Sequence, residues 1–215
     1  MLELRDVAIS RQGHRLFAPL SCRARPGQPV TIMGPSGAGK SSLLAWLTGV
    51  LPAGLAGEGD VLLDDVSVLA LPAHQRRLGI LFQDDLLFPH MTVGENLAFG
   101  VVPGLERAER RERIKHALVG VELAGFADRD PSTLSGGERA RVALLRVLLS
   151  EPRALLLDEP FSKLDLTLRD RFRSLVFQSA AHLPLLLVSH DPQDSVAAGG
   201  AVLELRPNHG HGRIS

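Results

Sequence analysis

A glycine-rich loop between two apolar runs constrains this chain more than any other feature. Residues 34–42 read Gly-Pro-Ser-Gly-Ala-Gly-Lys-Ser-Ser, which matches the spacing G-x-x-x-x-G-K-S. The run before it, residues 29–33, is apolar and rich in β-branched side chains, as is typical of a buried strand. The run after it, residues 43–47, can be continued sensibly only as a helix. The sequence therefore predicts a strand, a tight loop and a helix in succession.

The residue types in this loop indicate what it can hold. Glycine lets the backbone wrap closely around an anion, at a helix N-terminus that already favours negative charge. Lys40 could then reach the β- and γ-phosphates of a nucleotide, and the Ser41 hydroxyl could ligate Mg²⁺. The alternative is an ordinary glycine-rich turn before a helix. The full pattern with its flanks predicts a phosphate-binding loop made of Gly34, Pro35, Ser36, Gly37, Ala38, Gly39, Lys40, Ser41 and Ser42.

Two carboxylates follow a second apolar run. Residues 154–157 read Ala-Leu-Leu-Leu, and Asp158 and Glu159 come directly after them. We expect Asp158 to hold the Mg²⁺ shell and Glu159 to polarise an attacking water as general base. The alternative is a strand that ends in ordinary acidic loop residues. Beside a phosphate loop, the pair indicates a nucleotide hydrolase that uses Mg²⁺, although these two motifs alone leave many NTPase families open.

Charge and cysteine content narrow the class of protein. The 24 Lys and Arg residues balance the 24 Asp and Glu residues, so no basic field favours nucleic acid, and we expect no nucleic-acid partner. The single cysteine, Cys22, excludes an internal disulfide framework and fits a reducing compartment. The charged first residues do not resemble a secretory signal, and no apolar run reaches the length of a membrane span. The expected location is the cytoplasm.

Strand and helix patterns alternate along the chain, which predicts an α/β fold with a parallel sheet. Strand patterns cover residues 2–7, 61–63, 78–82, 154–157 and 185–188, with weaker strand character over 16–25. Helical patterns cover residues 93–99, 106–119 and 168–181, and a further helix opens after residue 134. Residues 51–59 are predicted to form a glycine-rich loop. We expect residues 207–215 to form a flexible tail. The alternative is that His209 and His211 bind a metal, but the composition of this segment favours a flexible end.

Residues 134–138 read Leu-Ser-Gly-Gly-Glu. They resemble the LSGGQ signature of ATP-binding cassette (ABC) ATPases and lie upstream of the Asp158 strand, as in that family. The resemblance implies that Ser135, Gly136 and Gly137 meet the γ-phosphate of a nucleotide held by the opposite subunit of a head-to-tail homodimer. Glu138 stands where the family often has Gln.

The family resemblance also implies an architecture. It is a P-loop NTPase with a RecA-like parallel-sheet core, a small antiparallel β-subdomain and an inserted α-helical subdomain that bears the signature. One nucleotide-binding domain would then span residues 1–206. Its core would comprise residues 1–85 and 150–206, and its helical subdomain residues 86–149.

Three single residues match further family markers. Gln83 ends a strand pattern and resembles the Q-loop glutamine, which contacts Mg²⁺ and the attacking water and links to the membrane partner. Asp165 matches the acidic position of the D-loop, although Lys163 stands where a small residue is more usual. His190 resembles the H-loop histidine that contacts the γ-phosphate. Read singly, Gln83 and His190 are ordinary polar residues at strand ends, but their order along the chain favours these roles.

The chain departs from the family at the adenine site. The family's A-loop supplies an aromatic residue, often Tyr, ahead of the phosphate loop, but this chain contains no Tyr. The matching stretch is residues 10–14. Arg11 lies within it and is the candidate for stacking its guanidinium on the base.

Residues 86–97 resemble the segment that follows the Q-loop in bacterial importers of small solutes such as thiamine, polyamines, sulfate or maltose. The resemblance implies an ATP-binding and ATP-hydrolysing transporter subunit that dimerises with ATP and drives solute uptake. It further implies separate integral membrane permease subunits, an extracytoplasmic solute-binding protein, and a peripheral position on the inner face of the cell membrane. The alternatives are an exporter ATPase and a soluble ABC-type ATPase of a nucleic-acid or ribosome process.

Overall fold

The structure is a computed structural model that describes residues 1–208 of the chain. Its strands are β1 (Leu2–Arg11), β2 (His14–Arg15), β3 (Leu20–Ala24), β4 (Val30–Met33), β5 (Leu55–Leu63), β6 (Val66–Ser67), β7 (Leu78–Leu81), β8 (Ala154–Asp158), β9 (Leu185–Ser189) and β10 (Ala201–Glu204). Its α-helices are α1 (Lys40–Thr48), α2 (Val93–Gly100), α3 (Arg107–Gly120), α4 (Gly136–Leu148), α5 (Leu166–Ser179) and α6 (Pro192–Ala198).

Contacts divide the chain into two compact units. The first comprises Met1–Leu78, Arg153–Glu159 and the chain from Ala180 onward. The second comprises Gly79–Pro152 and Pro160–Ser179. The second unit is therefore wider than the helical subdomain expected at residues 86–149, because it also takes in residues 79–85 and helix α5.

The first unit contains an antiparallel sheet with strand order β2-β1-β5-β6, in which β3 also pairs with β1. Strand β5 begins at Leu55, so the predicted loop over residues 51–59 is wrong for its second half. The glycines in this half serve close approach rather than a turn. A Cβ at Gly57 would lie 2.0 Å from Nε1 of Trp46, and one at Gly59 would lie 2.6 Å from the Arg5 carbonyl oxygen.

The first unit also contains the predicted parallel sheet. Its strands run in the order β10-β4-β9-β8, and every neighbouring pair is parallel. Strands β8 and β9 are apolar up to their last residues, Asp158 and Ser189, as expected for strands covered on both faces. The register pairs Met33 with Ser189 and Asp158 with Val188. The carboxyl ends of β4, β8 and β9 therefore meet at one edge, where ligands bind in open α/β sheets.

Helix α1 is anchored at its C-terminus by a buried arginine. The Arg76 guanidinium donates to the carbonyl oxygens of Trp46 and Leu47, at 2.8 Å each. The backbone N–H of Gly49 also closes the last turn onto Trp46. A cation at this end complements the helix dipole and satisfies carbonyls that lack a partner within the helix. The helix that follows the glycine-rich loop is thus held at its far end.

The second unit is built on helices α2 to α5. Its apolar core combines Val93, Leu97, Val101, Ile114, Leu118, Val121, Leu123, Leu134, Val142, Leu145 and Leu149. Leu175 of α5 packs against this core, and Phe161 meets the rings of Phe172 and Phe177 edge-on at 6.0 and 5.8 Å. These contacts explain why α5 belongs to this unit and not to the sheet-bearing one.

The last described residues are paired with the first unit. Pro207 forms a bridge with Phe17, and the Asn208 N–H donates to the Leu16 carbonyl at 2.8 Å. The chain therefore continues to pair beyond residue 206, the expected end of the domain. His209 and His211 lie outside the described residues. Within residues 1–208, no helix combines the length and apolar character needed to cross a bilayer.

Candidate active site

The glycine-rich loop joins the end of β4 to the start of α1, as predicted from the sequence. Gly37 and Gly39 have φ angles of 80° and 97°, a region that glycine enters without strain. Gly39 also lies against the Phe17 ring, because a Cβ there would meet two ring carbons at 3.0 Å. No side chain caps the N-terminus of α1, which begins at Lys40. The free backbone N–H groups of this first turn are available to an anion.

Lys40 places a cation within the loop. Its side chain is 5% exposed, and Nζ donates to the carbonyl oxygens of Gly34 at 2.8 Å and Pro35 at 3.1 Å. The same Nζ lies 3.5 Å from Oε1 of Glu159. The ammonium group is therefore within the loop and beside the carboxylate predicted to act as base.

Ser41 and Asp158 meet at the start of α1. The Ser41 hydroxyl donates to Oδ1 of Asp158 over 3.2 Å, although the two residues are 117 positions apart in the chain. Burial raises the pKa of Asp158, and the nearby Glu159 carboxylate raises it further, while the Ser41 hydrogen bond and Lys40 act in the opposite direction. A cation would relieve the charge of this half-buried carboxylate.

The Ser41 hydroxyl and the Asp158 carboxylate suit Mg²⁺ better than they suit a metal ion whose ligands all come from the protein. A hydroxyl and a carboxylate are hard oxygen donors, and Mg²⁺ is usually held by one or two carboxylates together with substrate phosphates and water. Among the described residues, no group of three or more His, Cys, Asp or Glu side chains could hold a metal ion. The pair can therefore hold a metal that arrives with a phosphate chain.

Glu159 lies between a cation and an imidazole. Its Oε2 is 2.9 Å from Nδ1 of His190, and its Oε1 faces Lys40. Because an ionised carboxylate only accepts hydrogen bonds, Nδ1–H of His190 is the donor. Glu159 has a φ angle of 47°, and its backbone N–H donates to the Val188 carbonyl at 2.9 Å. The first unit thus brings together the predicted residues Lys40, Ser41, Asp158, Glu159 and His190.

Arg11 ends β1, opposite His14 in the β1–β2 ladder, and is exposed. Its exposed guanidinium leaves a planar face accessible to a base. Sequence reasoning missed Phe17, which is fully buried against Gly39 of the loop. The only signal for it in the sequence was a bulky apolar residue within weak strand character.

The remaining predicted residues belong to the second unit. Ser135 caps α4, and its hydroxyl and backbone N–H both donate to Oε2 of Glu138 at 2.7 Å. Gly136 and Gly137 form the first turn of α4. Asp165 accepts the Leu168 N–H at 3.0 Å at the start of α5. Gln83 is exposed between β7 and α2.

Comparisons with known proteins identify the family of the chain. The model of the family described as ABC transporter matches residues 17–162. An uncharacterized ABC transporter ATP-binding protein of Escherichia coli K12, YnjD, is 45% identical over 207 residues, which are 95% of each chain. The Fe(3+) ions import ATP-binding protein FbpC of the same strain is 36% identical over 211 residues. The spermidine/putrescine import ATP-binding protein PotA of Vibrio cholerae is 36% identical over 209 residues.

These relatives differ in how much of their own length this chain matches. The alignment with FbpC includes 97% of this chain but 60% of FbpC. The alignment with PotA includes 96% of this chain but 55% of PotA. Among solved structures, the ATP-binding cassette MJ0796, described as a dimer in a post-hydrolysis state bound to ADP and Pi, superposes with a TM-score of 0.77. It is 29% identical, and the match covers 96% of this chain and 94% of that one. The chain is a member of the ABC transporter family and has the fold of its ATP-hydrolysing cassette.

Proposed function

We propose that this chain is the ATP-hydrolysing subunit of an importer and drives solute uptake through separate permease subunits. The observation that carries the proposal is the convergence of Lys40 and His190 on the two carboxylate oxygens of Glu159, beside the Ser41–Asp158 pair. The direction of transport is supported by FbpC and PotA, whose names describe import ATP-binding proteins.

ATP binds first, with its phosphates in the loop of residues 34–42. The uncapped first turn of α1 donates backbone N–H groups to the phosphate oxygens. Lys40 exchanges the carbonyls of Gly34 and Pro35 for the β- and γ-phosphates, which as anions are stronger acceptors. Arg11 stacks on the adenine, since the chain has no tyrosine for this purpose.

Ser41 and Asp158 would hold Mg²⁺ when it is bound. When bound, the ion neutralises charge on the β- and γ-phosphates and orients them. The role of the protein is to present two oxygen donors at the start of α1, where the ion and the phosphates arrive together. Burial raises the pKa of Asp158 because it disfavours the charged carboxylate, and a bound cation would stabilise that charged form.

Hydrolysis then uses Glu159 as general base. Its carboxylate accepts a proton from water while the water oxygen attacks the γ-phosphorus. The bond from that phosphorus to the bridging oxygen breaks, and ADP and phosphate are the products. His190 holds the carboxylate in place through its Nδ1–H, and Lys40 stabilises the charge on the phosphate oxygens.

A second copy of the chain supplies Ser135, Gly136, Gly137 and Asp165 to each nucleotide in a head-to-tail homodimer. The packing around Gly136 supports this. Its φ is not in the left-handed region, and a Cβ there would meet only Nη2 of Arg139, at 3.9 Å. The fold of one chain therefore does not require glycine at this position, whereas close approach of a phosphate does.

The loop before α2, together with Phe99 near the end of that helix, supports a permease-docking role. Leu86 is exposed, and Phe99 is 69% exposed with its ring 5.0 Å from that of Phe88. The fully buried Asn96 holds this loop: its side-chain amide donates to the carbonyls of Phe88 and Met91, and its oxygen accepts the Phe88 N–H. An apolar surface on an ordered loop suits an apolar segment of a membrane subunit. An extracytoplasmic binding protein would deliver the solute, and the chain would lie on the inner face of the membrane.

The proposed dimer makes a specific prediction for Gly136. Gly136→Asp should leave the fold intact, since the position is open and an acidic residue in the first helical turn is favourable. The added carboxylate should repel the partner's γ-phosphate. In a Glu159→Gln background with ATP and Mg²⁺, we expect Gly136→Asp to remain monomeric where the parent dimerises, as measured by light scattering after size exclusion.

Gly120→Asp is the matched control, because Gly120 is likewise an open helical glycine: a Cβ there would meet nothing within 4 Å. It should dimerise like the parent. Equal dimerisation of the Gly136→Asp protein, with an unchanged melting temperature, would refute the role of the signature residues.

A further inference from the structure

A buried polar pair lies directly behind His190. Ser189, the last residue of β9, is 1% exposed, and Asp194, in the first turn of α6, is 3% exposed. The Ser189 hydroxyl donates to Oδ2 of Asp194 over 2.6 Å, and the Ser189 Oγ accepts the Asp191 backbone N–H at 3.0 Å. Asp194, Ser189 and the Asp191 backbone thus form one continuous hydrogen-bonded chain.

Packing alone does not account for this pair. Removing a carboxylate from water is costly, and apolar residues of similar volume are often at least as stable in the same place. What the pair does supply is a fixed orientation of the groups next to it. The buried Asp194 carboxylate fixes the Ser189 hydroxyl, and that hydroxyl fixes the backbone at Asp191.

This set of hydrogen bonds flanks His190 in the sequence. It is anchored at the residue before the histidine and at the residue after it. The His190 side chain itself is 58% exposed, so neighbouring side chains constrain it little, and its direction depends on the backbone of residues 189–191. Glu159 depends on the same strand, because its backbone N–H donates to Val188. Both ends of the His190–Glu159 contact are therefore set at the end of β9.

We propose that Asp194 is a positioning residue for hydrolysis and acts through Ser189 to hold His190 against Glu159. This inference rests on the proposed function, in which Glu159 is the base. Without the Asp194 carboxylate, the Ser189 hydroxyl no longer has a fixed acceptor and the turn loosens. His190 then leaves the 2.9 Å contact, and the Glu159 carboxylate loses the partner that orients it.

The prediction concerns kcat rather than ATP binding. Asp194→Ala and Ser189→Ala should each lower kcat about tenfold, since small displacements of catalytic groups cost about this much or more, while KM for ATP changes little. The measurement is steady-state phosphate release from Mg²⁺ and ATP by the full chain. Ser195→Ala is the matched control: Ser195 is also a buried serine of α6, but its hydroxyl donates to the Pro192 carbonyl. It should leave kcat unchanged.

A double-mutant comparison separates positioning from stability. In a His190→Ala background, Asp194→Ala should cause no further loss of kcat, because the residue that it positions is absent. An undiminished tenfold loss in that background would overturn the inference while leaving the proposed function in place. Wild-type hydrolysis by His190→Ala alone would also overturn the inference, because hydrolysis would then not depend on the contact that Asp194 is proposed to position.

A second readout needs no nucleotide and no large substitution. Asp194→Asn preserves the shape of the side chain and an oxygen that can accept from Ser189, whereas Asp194→Ala removes the acceptor. The imidazole NMR signals of His190, assigned by their loss in His190→Ala, should shift in Asp194→Ala and stay in place in Asp194→Asn and Ser195→Ala. Identical His190 signals in the wild type and a folded Asp194→Ala protein would overturn the inference.

Discussion

Glu159→Gln should bind ATP with an affinity close to that of the wild type and hydrolyse it about 10²- to 10⁴-fold more slowly, the usual contribution of a general base. The amide has the shape of the carboxylate and can still accept the His190 hydrogen bond, but it cannot take up a proton from water. The two measurements are ATP binding by equilibrium dialysis and phosphate release under single-turnover conditions.

Glu151→Gln provides a matched control for this substitution. Glu151 also has a φ angle of 47° and, like Glu159, lies in a loop next to β8, but its carboxylate pairs with Arg113 on the surface of the second unit. Its hydrolysis rate should equal that of the wild type. Undiminished hydrolysis by Glu159→Gln would remove Glu159 from the role of base.

Lys40→Met should weaken ATP binding about 10- to 100-fold, because a hydrogen bond to a charged group contributes about 1.5–3 kcal/mol. Lys40 is the buried cation of the loop, and methionine keeps much of its length while removing the charge. Hydrolysis should fall further than binding, since Lys40 also faces Glu159 and the developing charge of the phosphate. The measurement is a titration with ATP and Mg²⁺ by isothermal calorimetry.

Lys115→Met is the control for the loss of a lysine, one of only three in the chain. Lys115 lies exposed on α3 and pairs with Glu112 over 3.9 Å, so its loss should not change ATP binding. If the Lys40→Met protein is folded and binds ATP as tightly as the wild type, the loop does not hold the phosphates as proposed.

The local part of the site could be predicted from the sequence. The glycine spacing of residues 34–39 and the apolar runs on either side predict β4, the loop and the start of α1 at Lys40, because each depends on neighbouring residues. The strand before Asp158 was predictable for the same reason. Uninterrupted apolar runs are typical of parallel strands buried on both faces.

The contacts between distant residues could not be predicted in this way. Glu159 and His190 are 31 positions apart and meet only because β8 and β9 are neighbours in a register that pairs Asp158 with Val188. The left-handed backbone of Glu159 also has no signal in the sequence. The acidic pair after an apolar run suggested Glu159 and the family resemblance suggested His190, but the geometry between them depends on the sheet.

Glycine misled the sequence-based description of β5. Gly57 and Gly59 favour a loop on composition, yet in the structure they allow Trp46 and the backbone of β1 to approach the strand. The membership of α5 was also not visible in its own pattern. It depends on the rings of Phe161 and Phe172 and on the core beneath Leu175.

The most direct test of the central claim is to identify what binds this chain at a membrane. The tagged Glu159→Gln protein would be purified with ATP and Mg²⁺ from gently solubilised membranes, and the captured proteins would be identified by mass spectrometry. We predict a protein with several membrane spans, recovered in the presence of ATP and lost when Phe99 is replaced by Glu. Recovery of ribosomes or DNA-processing proteins, with no membrane protein, would contradict the proposed transport function while leaving the ATPase chemistry in place.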